Sequence, residues 1–264
     1  MGVEADEGRY LYAIMRTDRE EFLGAIGLDG SEVWTVSHGE IAAAMHRCQA
    51  RPYVSEAEGQ IKDWVIEHNY VIDVATERFG TVLPFSFDVI LRGDDETVRD
   101  WIECRHDALN SELERLNGMA EYTVQLFCDE SALEEEILKE DVDLAAQRES
   151  IKKRPRGSSY LLQRGLEMHL RDAGRSRMNQ LEEEMGRLIE DLADEVLVQP
   201  RKTILPDERF KGMRLVANIC CLMSDDKVTP LGQALDDLNS RQGLAVRFTG
   251  PWAPFNFARL PEDA

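Results

Sequence analysis

From residue 118 onward, the apolar residues alternate between the spacing of a strand and that of a helix in one particular order. Residues 120–128 (AEYTVQLFC) alternate and read as a strand. A very acidic helix follows, with Glu134, Glu135, Glu136, Glu140, Asp141 and Asp143, and it runs into a basic turn, Lys152-Lys-Arg-Pro-Arg-Gly157. Two helical stretches come next, about 158–172 and 175–196. The second carries Met178, Leu181, Met185, Leu188, Leu192 and Val196 at spacings of three and four, which over so short a run predicts a helix packed on its own domain. Residues 197–205 and 213–223 read as strands joined through Pro206-Asp207. Thr229-Pro230 opens a helix with Leu231, Ala234, Leu235 and Leu238, since proline suits a first turn, and residues 243–249 are a last strand. The order is the βαββαβ of a ferredoxin-like sandwich, with an expanded helical insertion at about 130–196. It predicts a domain over 118–264, closing on a tail that contains Gly250-Pro-Trp252.

Residues 1–117 read as a separate α+β domain. Residues 9–15 (RYLYAIM) are rich in β-formers, residues 32–37 give a second strand, and residues 41–46 a third despite their alanines. Ser55 offers an N-cap with Glu58 three residues on, ahead of Ile61, Trp64, Val65, His68, Val71, Ile72 and Ala75. That helix is expected to end near Phe79-Gly80. Residues 81–90 are extended, with Pro84 at an edge or bulge. A second helix runs from about 94 to 116, and Asn117-Gly118 stops it. The predicted class is therefore α+β, in two domains.

Charge narrows the possible partners. The 264 residues hold 31 Lys+Arg against 51 Asp+Glu, a net charge of −20. Such a surface repels phosphate, which argues against nucleic acid and against anionic membranes. Apolar residues still make up 43%, enough for packed cores. Lysine occurs only at positions 62, 139, 152, 153, 202, 211 and 227, so most of the basic residues are arginine. That balance fits either a protein adapted to concentrated salt, where screening shortens self-repulsion, or an ordinary acidic cytosolic protein. Residues 1–8 are acidic without the apolar run of a cleavable signal, and no apolar run approaches a bilayer span. Five cysteines without CxxC spacing (Cys48, Cys104, Cys128, Cys220, Cys221) read as buried free thiols in a reducing compartment.

Catalytic chemistry has little to stand on. The five histidines (His38, His46, His68, His106, His169) form no HxxxH or HExxH pair, and His68, on the apolar face of its helix, reads as a hydrogen-bonded core histidine. No GxSxG elbow and no phosphate-binding glycine loop occurs. Runs such as Glu134–Glu136 fan out around a helix and cannot converge on one cation. No cofactor or metal is expected. What stands out is aromatic and apolar material at Pro/Gly-flanked positions: Phe79-Gly80, Leu83-Pro84 with Phe87, and Gly250-Pro-Trp. The last could present a ring as a docking latch, or Trp252, Phe255 and Phe257 could simply cover the sheet.

At these residues the sequence resembles the GvpF/GvpL family of gas vesicle proteins over nearly its whole length. Tyr10-Leu-Tyr-Ala-Ile14 is similar to the family's YLYGI strand, and Val82-Leu-Pro84 with Phe87 resembles its VLP-x-RFGT segment. Tyr160-Leu161 corresponds to its YL-containing helix, and Asn218 with the apolar run after it to its NAAFLV strand. Gly250-Pro-Trp-Ala-Pro-Phe-Asn-Phe257 is close to GPWPPYSF and is the most specific match. There are departures. Ser86 stands where the family prefers Arg, Asp88-Val89 where it has Gly-Thr, and Phe79-Gly-Thr81 precedes the Leu-Pro rather than following it. Cys220-Cys221 replace small or aromatic residues.

The resemblance implies a non-enzymatic accessory protein needed for gas vesicle formation, cytoplasmic and associated with the vesicles. It implies binding to the small hydrophobic shell protein and to other gas vesicle accessory proteins. The signature and candidate contact residues are Tyr10, Leu11, Tyr12, Leu83, Pro84, Phe87, Gly250, Pro251, Trp252, Pro254 and Phe255. Two other classes compete: a ferredoxin-like ligand-sensing regulatory module, and a hydrolase or transferase with a dispersed site.

Overall fold

In the computed structural model, which describes residues 6–153, 156–201 and 208–260, the YLYAIM run is the centre of the first sheet. Strand β1 (Glu7–Arg16) is flanked by β4 (Ile41–Gln49) on one side and by two short strands, β5 (Val82–Pro84) and β6 (Ile90–Arg92), on the other. Beyond β4 lie β3 (Val33–His38) and β2 (Phe22–Gly24), and every recorded pairing is antiparallel. Helix α1 (Glu58–Phe79) and helix α2 (Asp95–Arg115) both touch β1, and eight consecutive β1 residues are buried. A strand covered on both faces loses its polar alternation, as this one does.

A bulge decides which residues share a face. The β1–β4 register shifts between Leu11 and Ala13, so Tyr12 is the extra residue. Ala13 and Met15 therefore join Tyr10 and Tyr12 in one cluster with Ala42 and Ala44 of β4 and Trp64, Val71, Ile72 and Ala75 of α1. Tertiary pairing outweighs the poor strand propensity of the alanines.

The second unit runs β7 (Met119–Cys128), α3 (Glu130–Glu140), α4 (Val142–Lys152), α5 (Arg156–Glu190), β8 (Glu195–Val198), β9 (Arg214–Ser224), α6 (Asp225–Asn239) and β10 (Leu244–Trp252). Its sheet has the order β10-β7-β9-β8, with β8 and β9 antiparallel. The protein is thus a mixed α+β fold built on antiparallel sheets.

Several local expectations are corrected. Helix α1 starts at Glu58 with Ala57 as N-cap; Ser55 does not cap it but accepts from the Ala57 N–H in a local turn. The single acidic helix is two, because Asp141 leaves helical geometry and its carboxylate accepts from the Asp143 and Leu144 N–H groups, capping α4. The two stretches about 158–172 and 175–196 begin as one 35-residue helix, α5, which ends at Glu190, so Val196 lies in β8. Gly174 is tolerated inside it at about 1 kcal/mol relative to alanine. Helix α6 begins at Asp225, so Pro230 sits within it rather than opening it. Cys104 is exposed and Cys48 half-buried; Cys128, Cys220 and Cys221 are buried, and all five are free. The Pro206-Asp207 turn, the end of the strand expected to reach Leu205, and part of the basic turn lie outside the described residues.

The tail differs most. Contacts divide the chain into Met1–Glu121 with Pro251–Ala264, and Tyr122–Gly250. Residues 251–260 therefore belong with the first unit, where the sequence assigned them to the second. The cause is a set of polar contacts with α2 and the residues just after it. Arg115 donates to the Phe257 carbonyl (2.7 Å), the Arg259 N–H to Glu112 (2.7 Å), and Asn256 to both oxygens of Glu121 (2.8 and 2.5 Å). Ala253 enters the Tyr10–Tyr12 cluster.

Candidate functional site: a neutral tyrosine–histidine core and a pinned C-terminal tail

The signature residues fall into two groups. Tyr10, Leu11, Tyr12, Leu83 and Pro84 are buried, and Phe87 is half-buried against the core. They offer almost no surface in this fold. Gly250, Pro251, Trp252 and Phe255 are exposed, with Trp252 at 47%, while Pro254 is buried between them. The structure brings the first six together around β1 and the other five together on the tail.

Around Tyr10 and Tyr12 lies a hydrogen-bonded network that the sequence reading only touched through His68. The Tyr10 hydroxyl meets His68 Nδ1 at 3.0 Å, and His68 Nε2 lies 3.1 Å from the Phe85 carbonyl. A carbonyl only accepts, so Nε2 carries the proton and Nδ1 accepts from Tyr10. The Tyr10 oxygen in turn accepts the Asp88 N–H at 3.0 Å. In parallel, Tyr12 contacts His46 Nδ1 at 2.8 Å, His46 Nε2 contacts the Tyr53 hydroxyl at 3.0 Å, and the Leu28 N–H donates to Tyr12 at 3.1 Å. The rings also pack: Tyr10 stacks on His46 at 5.0 Å, and Tyr53 meets Trp64 edge-on at 5.2 Å. The signal that could have found His46 was its parity with Ala42 and Ala44 on one strand face. Tyr53 and Asp88 lie in loops, where no periodicity applies.

Burial keeps every member neutral. It lowers His46 and His68 to about 4, pushes Tyr53 up to about 12 and Cys48 to about 11, and raises Tyr10 and Tyr12 well above the usual phenol range. His46 and His68 are 0% and 2% exposed, so neither reaches a substrate. Elsewhere His106 lies 3.6 Å from the exposed Asp107 and His38 lies 3.9 Å from the exposed Glu103, both pairs open to solvent. Among the described residues, no three His, Cys, Asp or Glu side chains converge as a metal site would require, and no helix is long and apolar enough to cross a membrane.

The departure at Asp88 has a physical reading. Asp88 has φ of +72°, a backbone region where glycine is at ease and other residues carry about 1 kcal/mol of strain. Its carboxylate accepts the Tyr53 N–H at 3.0 Å, which offsets that strain. Gly80, with φ of +82° and ψ of −124°, ends α1 in a conformation that side chains rarely adopt, which accounts for the glycine of Phe79-Gly-Thr81. We expect Asp88→Gly to change stability by under about 1 kcal/mol. Asp88→Val, which keeps the strain, adds β-branching and loses the bond, should cost about 2–3 kcal/mol in urea denaturation.

A family profile described as "Gas vesicle synthesis protein GvpL/GvpF" matches residues 8–259. Among curated proteins, "Gas vesicle protein L1" of Halobacterium salinarum is 31% identical over 254 residues, 95% of this chain and 90% of that protein. "Gas vesicle protein L" of Haloferax mediterranei is 31% identical over 88% of this chain and 72% of its own. Among solved structures, the gas vesicle protein GvpF from Anabaena sp. PCC7120 superimposes with a TM-score of 0.71 at 20% identity, covering 97% of this chain and 100% of that one. GvpF from Microcystis aeruginosa gives 0.65 at 19% identity, covering 96% and 99%. The match spans both groups of signature residues, from β1 to the pinned tail, and the chain belongs to the gas vesicle synthesis protein GvpL/GvpF family.

Proposed function

We propose that this protein acts in gas vesicle assembly without catalysis, binding the small hydrophobic shell protein, together with other gas vesicle accessory proteins, before the shell forms. The family match over residues 8–259 carries the reading. Two physical features support it. A net charge of −20 would keep a complex with an aggregation-prone subunit dispersed. Trp252 and Phe255 stand exposed on a tail that Glu112, Arg115 and Glu121 hold in place, so a docking ring is presented at low entropic cost. The second unit reads as ferredoxin-like: one helical layer expanded to three helices, and strand order β10-β7-β9-β8.

Co-expression with a shell protein tests this. The shell protein should stay soluble and co-purify, and Trp252→Ala with Phe255→Ala should reduce the yield severalfold while leaving the fold intact. A shell protein that is soluble alone and never co-purifies would overturn the reading. The ligand-sensing alternative is favoured by one observation, a pocket of about 520 Å³ lined by Gln49, Arg51, Tyr53 and Trp64. A metabolite that raises the melting temperature through that pocket would favour it instead.

A further inference from the structure

Helix α5 carries two faces along its length. Met178, Leu181, Met185 and Ile189 lie three or four residues apart and are buried, and α5 contacts β9. The helix continues well beyond them. Its 35 residues span roughly 52 Å, against roughly 36 Å for the eleven residues of β9, so its N-terminal half overruns the sheet. On that half, Leu161, Arg164, Met168, Arg171 and Arg175 follow at spacings of three, four, three and four and form one stripe. All five are exposed, Leu161 at 79% and Met168 at 57%.

The charges on the stripe are unspent. None of Arg164, Arg171 and Arg175 makes an ion pair or hydrogen bond with any described residue. Several other arginines of this acidic chain are tied to carboxylates, as Arg9, Arg99, Arg177 and Arg241 are to Asp95, Glu20, Glu136 and Glu184. Along one side of the stripe, Arg171 and Arg175 border a groove of about 520 Å³ in which Leu133 of α3, Leu170 and Met178 lie beside Glu130, Glu134 and Glu167. Glu167 and Asp172 flank the stripe without joining it.

We propose that this stripe, alternating apolar side chains with free guanidiniums, is a docking face for an amphipathic helix of a partner protein whose apolar row is flanked by carboxylates. The argument is complementarity. Spacings of three and four match the seam of two packed helices, and three exposed arginines with no ion-pair partner among the described residues favour carboxylates on the partner over another surface as acidic as this chain's own. Nucleic acid, the other polyanion, meets the repulsion of the whole molecule. The proposal rests on the reading that the protein works by binding other proteins.

The probe is a synthetic helical peptide of about 20 residues, long enough to hold helix, with leucine at every third or fourth position and glutamates beside them. Its twin has lysine in place of glutamate. Fluorescence anisotropy against the full chain should show the acidic peptide binding, with at least tenfold loss in the variant R164E/R171E/R175E and weakening in 1 M salt. The lysine twin should prefer the variant. These are exposed positions, so the variant should keep its far-UV circular dichroism. Equal binding of the acidic peptide to both proteins, or none to either, overturns the proposal. So does capture of phosphatidylglycerol-containing vesicles in place of the peptide, or a wild-type dimer that the triple substitution abolishes, which would assign the stripe to a second copy. Shell co-purification is read separately on the same variant: the stripe can fail there with assembly binding intact, and the reverse.

Discussion

Tyr12→Phe should destabilise the first unit by about 1–3 kcal/mol, and Tyr12→Ala by about 3–5 kcal/mol, enough to leave that unit largely unfolded. The two substitutions separate what the ring does from what its oxygen does. Phenylalanine keeps the packing against Tyr10 and His68 (4.9 and 5.4 Å between ring centres) and removes only the oxygen. That oxygen accepts the Leu28 N–H, buried at the start of a tight turn, and meets His46 Nδ1, so its loss strands two buried polar groups. Alanine adds a cavity in a fully enclosed site. All four tryptophans (Trp34, Trp64, Trp101, Trp252) lie in the first unit, so tryptophan fluorescence in urea reads that unit alone. A Tyr12→Phe midpoint equal to wild type would show that water replaces the lost oxygen and that the network is not a source of stability. Tyr10→Phe is the control. It strands the Asp88 N–H and His68 Nδ1 in the same way and should cost a similar amount.

Strand and helix order was legible because burial imposes period. Val71, Ile72 and Ala75 on one helix, and Tyr10 to Met15 on one strand, could be placed from spacing alone. The bulge at Tyr12 was not legible, since it adds one residue without changing composition, yet it puts Ala13 and Met15 on the tyrosine face. Helix ends failed for a related reason. Ser55 and Thr229-Pro230 carry good starting signals, but the chain takes its start where packing fixes the axis, at Glu58 and Asp225. Asp129 and Asp141, hidden among other acids, are the real caps of α3 and α4. The tail could not be placed from sequence because its partners, Glu112, Arg115 and Glu121, lie more than a hundred residues away. The three family signatures play different structural parts. YLY and VLP are conspicuous because they build the core under β1, and among them only the GPW segment also reaches solvent.

Acidification should unfold the first unit through its two neutral histidines. Both fall from an ordinary 6.5 to about 4 in the folded protein, so between those values the unfolded chain binds protons that the native one refuses. Stability is then fully present above about 6.5 and lost as the pH falls toward 4, by about 1.4 kcal/mol per pH unit for each histidine and about 3 kcal/mol each across the window. A second effect has the opposite sign. A chain of −20 relieves its self-repulsion as it approaches a pI near 4.7. The two separate with salt, because 1 M salt shortens screening to about 3 Å and removes the repulsive contribution, while groups this deeply buried barely feel it. In 1 M salt, tryptophan-detected urea midpoints should therefore fall steadily from pH 6.5 to 5. His46→Gln and His68→Gln should each lower stability at pH 7 and halve the slope. The groups facing the rings are the hydroxyls of Tyr10, Tyr12 and Tyr53 and the Phe85 carbonyl, with Asp29 acting on His46 from a distance too weakly to hold its proton. A flat wild-type profile over that range would mean that the rings take up protons without leaving their network, and the core would then tolerate the charge that its burial argues against.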